Sequence, residues 1–245
     1  MKIEVILTPA ELPALAKRDL SAAGCVVFDV LRATSTFVTA LANGAAQIIP
    51  VSEISEALAI RKQQPGVLLG GERQGVKIRA GGIDFEFGNS PREYSPEAVR
   101  GKTIVSTTTN GTRALRACPG AKTVLAASLL NLGATANFIR NAKIEKLYIV
   151  CAGTFENAAL EDILAAGALG ELVLGGNDTL SDSAKVAIQA FAEAKSDLAN
   201  VLCGSENARR LLSMPELRDD VAFCLQRDVF DLAVVLGSDG ALRKS

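Results

Sequence analysis

The apolar residues of the chain fall into short runs separated by turn residues. Positions 2–7 alternate as a short strand before Pro9 and Pro13 break the pattern. Residues 25–28, 46–51, 67–69, 103–105, 123–127 and 146–152 are near-continuous apolar or β-branched runs, the mark of strands buried on both faces. Between them the spacing turns helical. Phe37, Val38 and Leu41 define a helix closing at Asn43-Gly44, Ser52 caps a helix through Gln64, and further helices fall at 131–141 and from 156 onward. Val186, Ile188, Phe191, Ala194 and Leu198 recur at helical spacing within 178–202. Two helical pieces at 205–212 and 215–225 read as a cap or an oligomer surface, and 231–236 as a closing strand before a polar tail. Strands and helices alternate through about residue 175, which predicts an α/β fold with a largely parallel sheet and helices on both faces. No low-complexity linker divides residues 1–245. The expectation is a single domain, with room for two subdomains sharing one site.

In such a sheet, ligands belong at the carboxyl ends of the strands. The richest end is 102–115, KTIVSTTTNGTRAL. Thr107, Thr108 and Thr109 follow the apolar run. Asn110-Gly111 predicts a tight turn because both residues tolerate positive φ, and Thr112 and Arg113 lead into a helix. Backbone N–H groups, hydroxyls and a guanidinium at a helix start make an anion pocket. The plainer alternative is a buried threonine ladder with an N-cap. The first long strand repeats this logic: it ends at Asp29, suited to a metal, followed by Arg32, Thr34 and Ser35, suited to an anion. There the structural alternative is an Asp29–Arg32 pair. Residues 70–94 are too long and aperiodic for a plain connection. Glycines stand at 70, 71, 75, 81, 82 and 88, while Ile78, Ile83, Phe85 and Phe87 offer anchors, which favours an ordered binding loop. In it Glu72 is a candidate metal ligand or base, and Arg73, Lys77 and Arg79 are candidate anion binders. Asn89 and Ser90 form a turn that either caps a backbone or touches ligand. Glu161 and Asp162 are adjacent on the long helix and point about 100° apart. At least one is therefore expected to face solvent.

Composition narrows the function. Of 245 residues 49% are hydrophobic and the formal net charge is −1, so no strong field steers the protein to nucleic acid or an anionic membrane. Aromatics are 4% and tryptophan is absent, which argues against a base-stacking surface. No apolar run reaches membrane length, and the opening MKIEVILTP is too short and charged for a signal peptide. Five cysteines without CxxC spacing read as reduced thiols of a cytoplasmic protein. The chain has no histidine. That removes Ser-His-Asp and Cys-His mechanisms and leaves acid–base work to Asp, Glu, Lys, Tyr, Cys or water on a metal. Abundant hydroxyls and carboxylates suit a hard cation such as Mg²⁺. The Ala-rich helices within 156–202 point to a homo-oligomer, a dimer in the simplest case.

Three blocks, DVLRATST (29–36), GGERQGVKIRAGGIDFEFGNSPREY (70–94) and TTTNGTRAL (107–115), closely resemble the 2-phosphosulfolactate phosphatase family, the ComB-like proteins. ENAALEDILAAGAL (156–169) and LSDSA (180–184) resemble later blocks of the same family. The resemblance implies a three-layer α/β/α fold with a largely parallel or mixed sheet. It also implies a Mg²⁺-dependent phosphatase converting 2-phospho-3-sulfolactate, or another small phosphorylated acid, to 3-sulfolactate and phosphate, on the route to coenzyme M. With the resemblance added, Asp29 and Glu72 would hold Mg²⁺, joined by Glu161 or Asp162. Arg32, Thr34, Ser35, Asn110, Thr112 and Arg113 would grip the phosphate, with Thr107, Thr108, Thr109 and Gly111 beside them. Arg73, Lys77, Asn89 and Ser90 would bind the sulfonate and carboxylate end. Arg32 and Arg113 would neutralise the equatorial oxygens. Asp29 as a covalent nucleophile is the mechanistic alternative. It lacks the second aspartate that haloacid-dehalogenase-type phosphatases carry two residues on, the place held here by Leu31. From a different class comes a non-catalytic binder of a small phosphorylated or sulfonated acid, which would gain nothing from carboxylates beside a dianion. An oligomeric protein with a vestigial site is a third possibility.

Overall fold

The structure, a computed structural model, describes residues 1–80 and 82–245. Gly81 lies outside the described residues, as do the side chains of Ala80 and Ile83, so the anchoring expected of Ile83 falls outside them too. The apolar runs form β1 (Lys2–Ile6), β2 (Ala23–Phe28), β3 (Gln47–Val51), β4 (Leu68–Arg73), β5 (Thr103–Thr107), β6 (Thr123–Ala127) and β7 (Lys146–Cys151). Every residue of β2 is buried, as its unbroken apolar run requires. Two short C-terminal strands follow, β8 (Val234–Leu236) and β9 (Leu242–Lys244). Apart from single turns at Leu12–Leu15 and Pro96–Val99, the helices among the described residues are α1 (Ala33–Ala42), α2 (Ile54–Gln63), α3 (Gly111–Arg116), α4 (Leu132–Asn141), α5 (Leu160–Val173), α6 (Asp182–Ala194), α7 (Leu198–Cys203), α8 (Glu206–Leu212) and α9 (Arg218–Cys224). Gly44, with φ at 96°, ends α1 as its Asn-Gly pair predicts. Ser181 caps α6 by accepting from Ala184 N–H at 3.1 Å.

The sheet order is β1–β7–β2–β6–β8–β9–β3–β5–β4, with Thr179–Leu180 beside β1 and Val76–Lys77 beside β4. Strands β1, β7, β2 and β6 form one parallel block, and β3, β5 and β4 a second. The C-terminal hairpin joins them: β8 is antiparallel to β6 and to β9, and β9 is antiparallel to β3. The sheet is therefore mixed. The expected polar tail is corrected: its last residues form a strand in the middle of the sheet, because Ala241 and Leu242 are apolar enough to be buried there.

Alternate side chains of β2 feed two cores. Val26 and Phe28 pack with residues of α4, α5 and α6, and Cys25 and Val27 with residues of α1 and α3, giving the three-layer α/β/α arrangement. A smaller core under α2 contains Leu69, Val105, Ile78 and Phe85, so the apolar anchors of the 70–94 loop do hold it to the body. The alanines of α5 and α6 are spent within the chain. Ala165, Ala166, Ala168, Ala184 and Ala187 are buried, and a Cβ on Gly167 would stand 2.1 Å from the Ala187 carbonyl oxygen.

Three antiparallel steps separate the two blocks, so in a flat sheet their carboxyl ends would lie on opposite edges. Strand twist of about 20–25° per pair accumulates to roughly 100–125° over the five steps from β2 to β5. That rotation brings the end of β5 round toward the end of β2. The approach is close: a Cβ on Gly111 would meet Ala33 Cβ at 2.6 Å and Asp29 Oδ2 at 2.8 Å. Gly111 is thus required for proximity and not for positive φ; neither it nor Asn110 (φ −114°) takes the left-handed conformation expected of a tight Asn-Gly turn.

Candidate active site

The strand ends of the two blocks meet around a small pocket lined by Asp29, Arg32, Glu72, Asn89, Thr109 and Asn110, with Gln74, Gly75, Thr154, Phe155, Asn207 and Arg210. Two larger chambers flank it. One of about 490 Å³ shares Arg32, Gly75 and Asn89 with the pocket and adds Lys77, Ser90 and Arg92. The other, about 540 Å³, shares Thr154, Phe155, Asn207 and Arg210 and adds Glu161.

Asp29 is 8% exposed. Its Oδ1 accepts from Ala33 N–H at 3.0 Å, while Oδ2 accepts no hydrogen bond among the described residues. Burial pushes its carboxyl up to about 7; the Ala33 N–H opposes this, the nearby Glu72 and Glu161 charges add to it, and Arg32 opposes it. The expected Asp29–Arg32 pair does not form. Arg32, itself buried, donates from Nη1 to Asp220 Oδ2 at 2.7 Å and from Nη2 to Gly75 O at 3.1 Å. Thr34 and Ser35, read from the sequence as phosphate contacts, are turned into the protein. The Thr34 hydroxyl donates to Asp29 O at 2.9 Å and accepts from Asp29 N–H, and the Ser35 hydroxyl donates to Val30 O at 2.8 Å.

Glu72, at the end of β4, accepts from Gly75 N–H at 2.7 Å and Thr109 N–H at 2.8 Å. A backbone donor of the threonine stretch is therefore committed to a carboxylate. The threonine hydroxyls are largely committed too. Thr107 donates to Ser52 O, Thr108 accepts from Thr112 N–H, and the Thr112 hydroxyl donates to Thr108 O. Here the plainer reading, a threonine ladder capping α3, describes the geometry. Thr109 Oγ1 is the exception, buried and without a partner among the described residues. Arg113 does not join the pocket. It pairs on the surface with Glu156 at 2.6 Å, 42% exposed. Arg73 is likewise spent on backbone and hydroxyl oxygens, those of Glu72, Ser52 and Thr107. Lys77 and Ser90 line the chamber beside Arg32, and Ser90 donates to Asp220 at 2.6 Å. Asn89 lies where chamber and pocket meet, its Oδ1 buried and unpartnered among the described residues.

The acidic pair on α5 departs from the sequence reading. Glu161 and Asp162 are 1% and 2% exposed, so neither faces solvent. The first turn of α5 packs over the ends of β2 and β7 and covers both. Asp162 accepts from Val30 N–H at 2.8 Å and Gly153 N–H at 2.9 Å, tying the two strand ends together. Burial, with the Asp29 and Glu161 charges, pushes its carboxyl well above the usual carboxylate range. Glu161 Oε1 accepts from Asn207 at 3.0 Å, and its Oε2 is buried with no partner among the described residues. The two thus divide the work that the 100° offset between neighbours permits.

Three residues of this neighbourhood went unread in the sequence: Asn207 and Arg210 on α8, and Asp220 on α9. Asn207 bridges Glu161 and Leu31 O. Arg210 donates to Asn207 Oδ1 at 3.0 Å and makes no ion pair among the described residues, which leaves a cation facing the carboxylates. The polar heads of 206–220 alternate with buried Ala208, Leu211 and Val221. That amphipathic spacing was visible, but nothing local says which structure the helices cover.

The matching family model is described as 2-phosphosulpholactate phosphatase and aligns with residues 6–239. Curated relatives agree. A protein of Caldanaerobacter subterraneus subsp. tengcongensis named "Probable 2-phosphosulfolactate phosphatase" is 41% identical over 231 residues, covering 93% of each chain. One of the same name from Thermotoga petrophila is 44% identical over 84% of this chain and 85% of its own. Another, from Clostridium novyi, is 35% identical over 95% of each. No helix is long and apolar enough to cross a membrane among the described residues.

Proposed function

From the premise that the chain belongs to the 2-phosphosulfolactate phosphatase family, we propose that it hydrolyses the phosphate ester of a small acid, 2-phospho-3-sulfolactate or a close analogue. Water is consumed; the hydroxy acid (3-sulfolactate) and inorganic phosphate are released. The cofactor would be Mg²⁺. The observation that carries this reading is that Asp29 and Glu72 line one pocket with the cations Arg32 and Arg210, while Glu161 lines the adjoining chamber. A simple anion binder has no use for those carboxylates.

The donor set suits a hard cation. Asp29 Oδ2 and the buried Glu161 Oε2 are oxygens without hydrogen-bond partners among the described residues. Among the described residues no three Asp, Glu or Cys side chains converge as a metal cluster. Mg²⁺ is commonly held by one or two carboxylates, with water and substrate phosphate completing its shell, so Asp29 and Glu161 would suffice. Glu72 and Asp162 spend their oxygens on backbone N–H groups and would act by holding the surrounding loops. Once bound, the cation would neutralise phosphoryl charge and acidify nearby water.

Arg210 and the free N–H edge of Arg32 are the groups to hold the equatorial oxygens as negative charge redistributes during in-line attack. The acid end of the substrate would enter the chamber beside Arg32, where Lys77 and Arg92 supply positive charge and Asn89 and Ser90 polar contacts. The test is phosphate release from phospholactate and 2-phospho-3-sulfolactate, with Mg²⁺ and with chelator. Release that depends on Mg²⁺ is expected; tight binding without release would leave the non-catalytic binder. If Asp29 were instead the nucleophile, an acid quench during turnover would trap a phosphoaspartate at Asp29, reducible by borohydride.

A further inference from the structure

Asp220 is the most enclosed ionisable contact to the pocket and has no role in the reaction as derived so far. It lies on α9, 188 residues from Arg32, and is 0% exposed. Its Oδ2 accepts from Arg32 Nη1 at 2.7 Å and its Oδ1 from the Ser90 hydroxyl at 2.6 Å. Arg92 Nη1 stands 3.7 Å from Oδ1. One carboxylate on α9 therefore ties together the Arg32 turn and the 89–92 turn, two walls of the chamber that would receive the acid end of the substrate.

We propose that Asp220 is a positioning residue for the phosphatase reaction: it fixes the plane of the Arg32 guanidinium so that the remaining N–H edge points into the pocket. This rests on the phosphatase reading. Asp220 Oδ2 and Gly75 O hold one N–H on each terminal nitrogen of Arg32, and a guanidinium offers five donors in a rigid fork. Holding two of them sets the direction of the rest. The pairing reduces the net charge Arg32 brings to a phosphate; what it supplies is a pre-set geometry, which matters most where charge develops in the transition state. Stability alone does not account for the pair, since desolvation offsets most of the attraction in a buried ion pair.

The experiment measures Mg²⁺-dependent phosphate release from 2-phospho-3-sulfolactate by wild type, Asp220→Asn, Arg32→Lys and the double variant, with thermal melts of each. Asp220→Asn is expected to lower kcat about ten- to hundredfold, the scale of one charge-assisted hydrogen bond, with a smaller change in KM. On the Arg32→Lys background it should cost almost nothing further, because both changes remove the same oriented fork. A folded Asp220→Asn with wild-type kcat, or losses that multiply in the double variant, overturns the proposal. If Asp220→Asn fails to fold, Asp220→Glu keeps the charge while displacing the guanidinium. It should melt near wild type yet lose about tenfold in kcat, and full activity there is equally fatal. Wild type that releases no phosphate removes the phosphatase reading itself and this inference with it; wild-type turnover beside an indifferent Asp220 removes only the inference.

Discussion

Residues 29–36 and 107–115 share one pattern, a buried strand followed by hydroxyls, an arginine and a helix start, yet the fold uses them differently. In the first, Thr34 and Ser35 turn back onto the carbonyls of Asp29 and Val30, and Asp29 and Arg32 are left facing the pocket. In the second, Thr107, Thr108 and Thr112 also turn inward, but Arg113 points to solvent. Hydroxyls at a helix start serve the helix first, because its opening N–H groups and the preceding carbonyls lack partners. Chemistry is left to the groups that this local demand does not consume.

The sharpest test of that contrast is Asp29→Asn. We expect activity to fall by several orders of magnitude with the fold intact, measured as phosphate release alongside circular dichroism; near-normal turnover would remove Asp29 from the mechanism. Glu161→Gln keeps the Asn207 contact geometry while weakening the cation site. About a ten- to hundredfold loss of apparent Mg²⁺ affinity is expected from a titration of activity, against no change if Asp162 is the ligand. Arg210→Ala should raise the Kd for inorganic phosphate about tenfold or more by calorimetry. Arg113→Ala, at the mirror position, should leave kcat/KM within about threefold, since an exposed pair contributes at most about 1 kcal/mol. A large loss there would return the threonine stretch to the site.

The same contrast has a pH dependence. In the fold Asp29 keeps its proton up to about pH 7, whereas unfolded it ionises near pH 4. Between those values the folded chain binds more protons, so this group's contribution to stability falls as pH rises through the window. Metal-free Asp29→Asn should therefore melt above wild type at pH 8, with the gap narrowing toward pH 5 and closing below about pH 4. An equal gap at both values would count against a buried, protonated Asp29.

Much of this was legible in the residues. Unbroken apolar runs gave the strands, and acids and arginines just past them marked the rim where Asp29, Arg32 and Glu72 do meet. What stayed hidden depends on which surfaces touch. The burial of Glu161 and Asp162 follows from α5 starting over the ends of β2 and β7, a docking choice invisible in the helix's own periodicity. Asp220 and Arg210 sit on short helices whose polar faces look like ordinary surface until Arg32 and Glu161 are placed opposite. Arg113 misled because an arginine at a helix start looks the same whether it faces inward or outward, and Glu156, which draws it away, lies 43 residues on.

The hairpin of β8 and β9 has a consequence for how the protein is made. Asp29 belongs to one parallel block and Glu72 to the other, and among the described residues the blocks share no sheet edge except through residues 234–244. Until that hairpin docks, the two halves can each collapse but cannot be stitched edge to edge. In refolding, activity should therefore appear no earlier than the step that threads residues 234–244 into the gap.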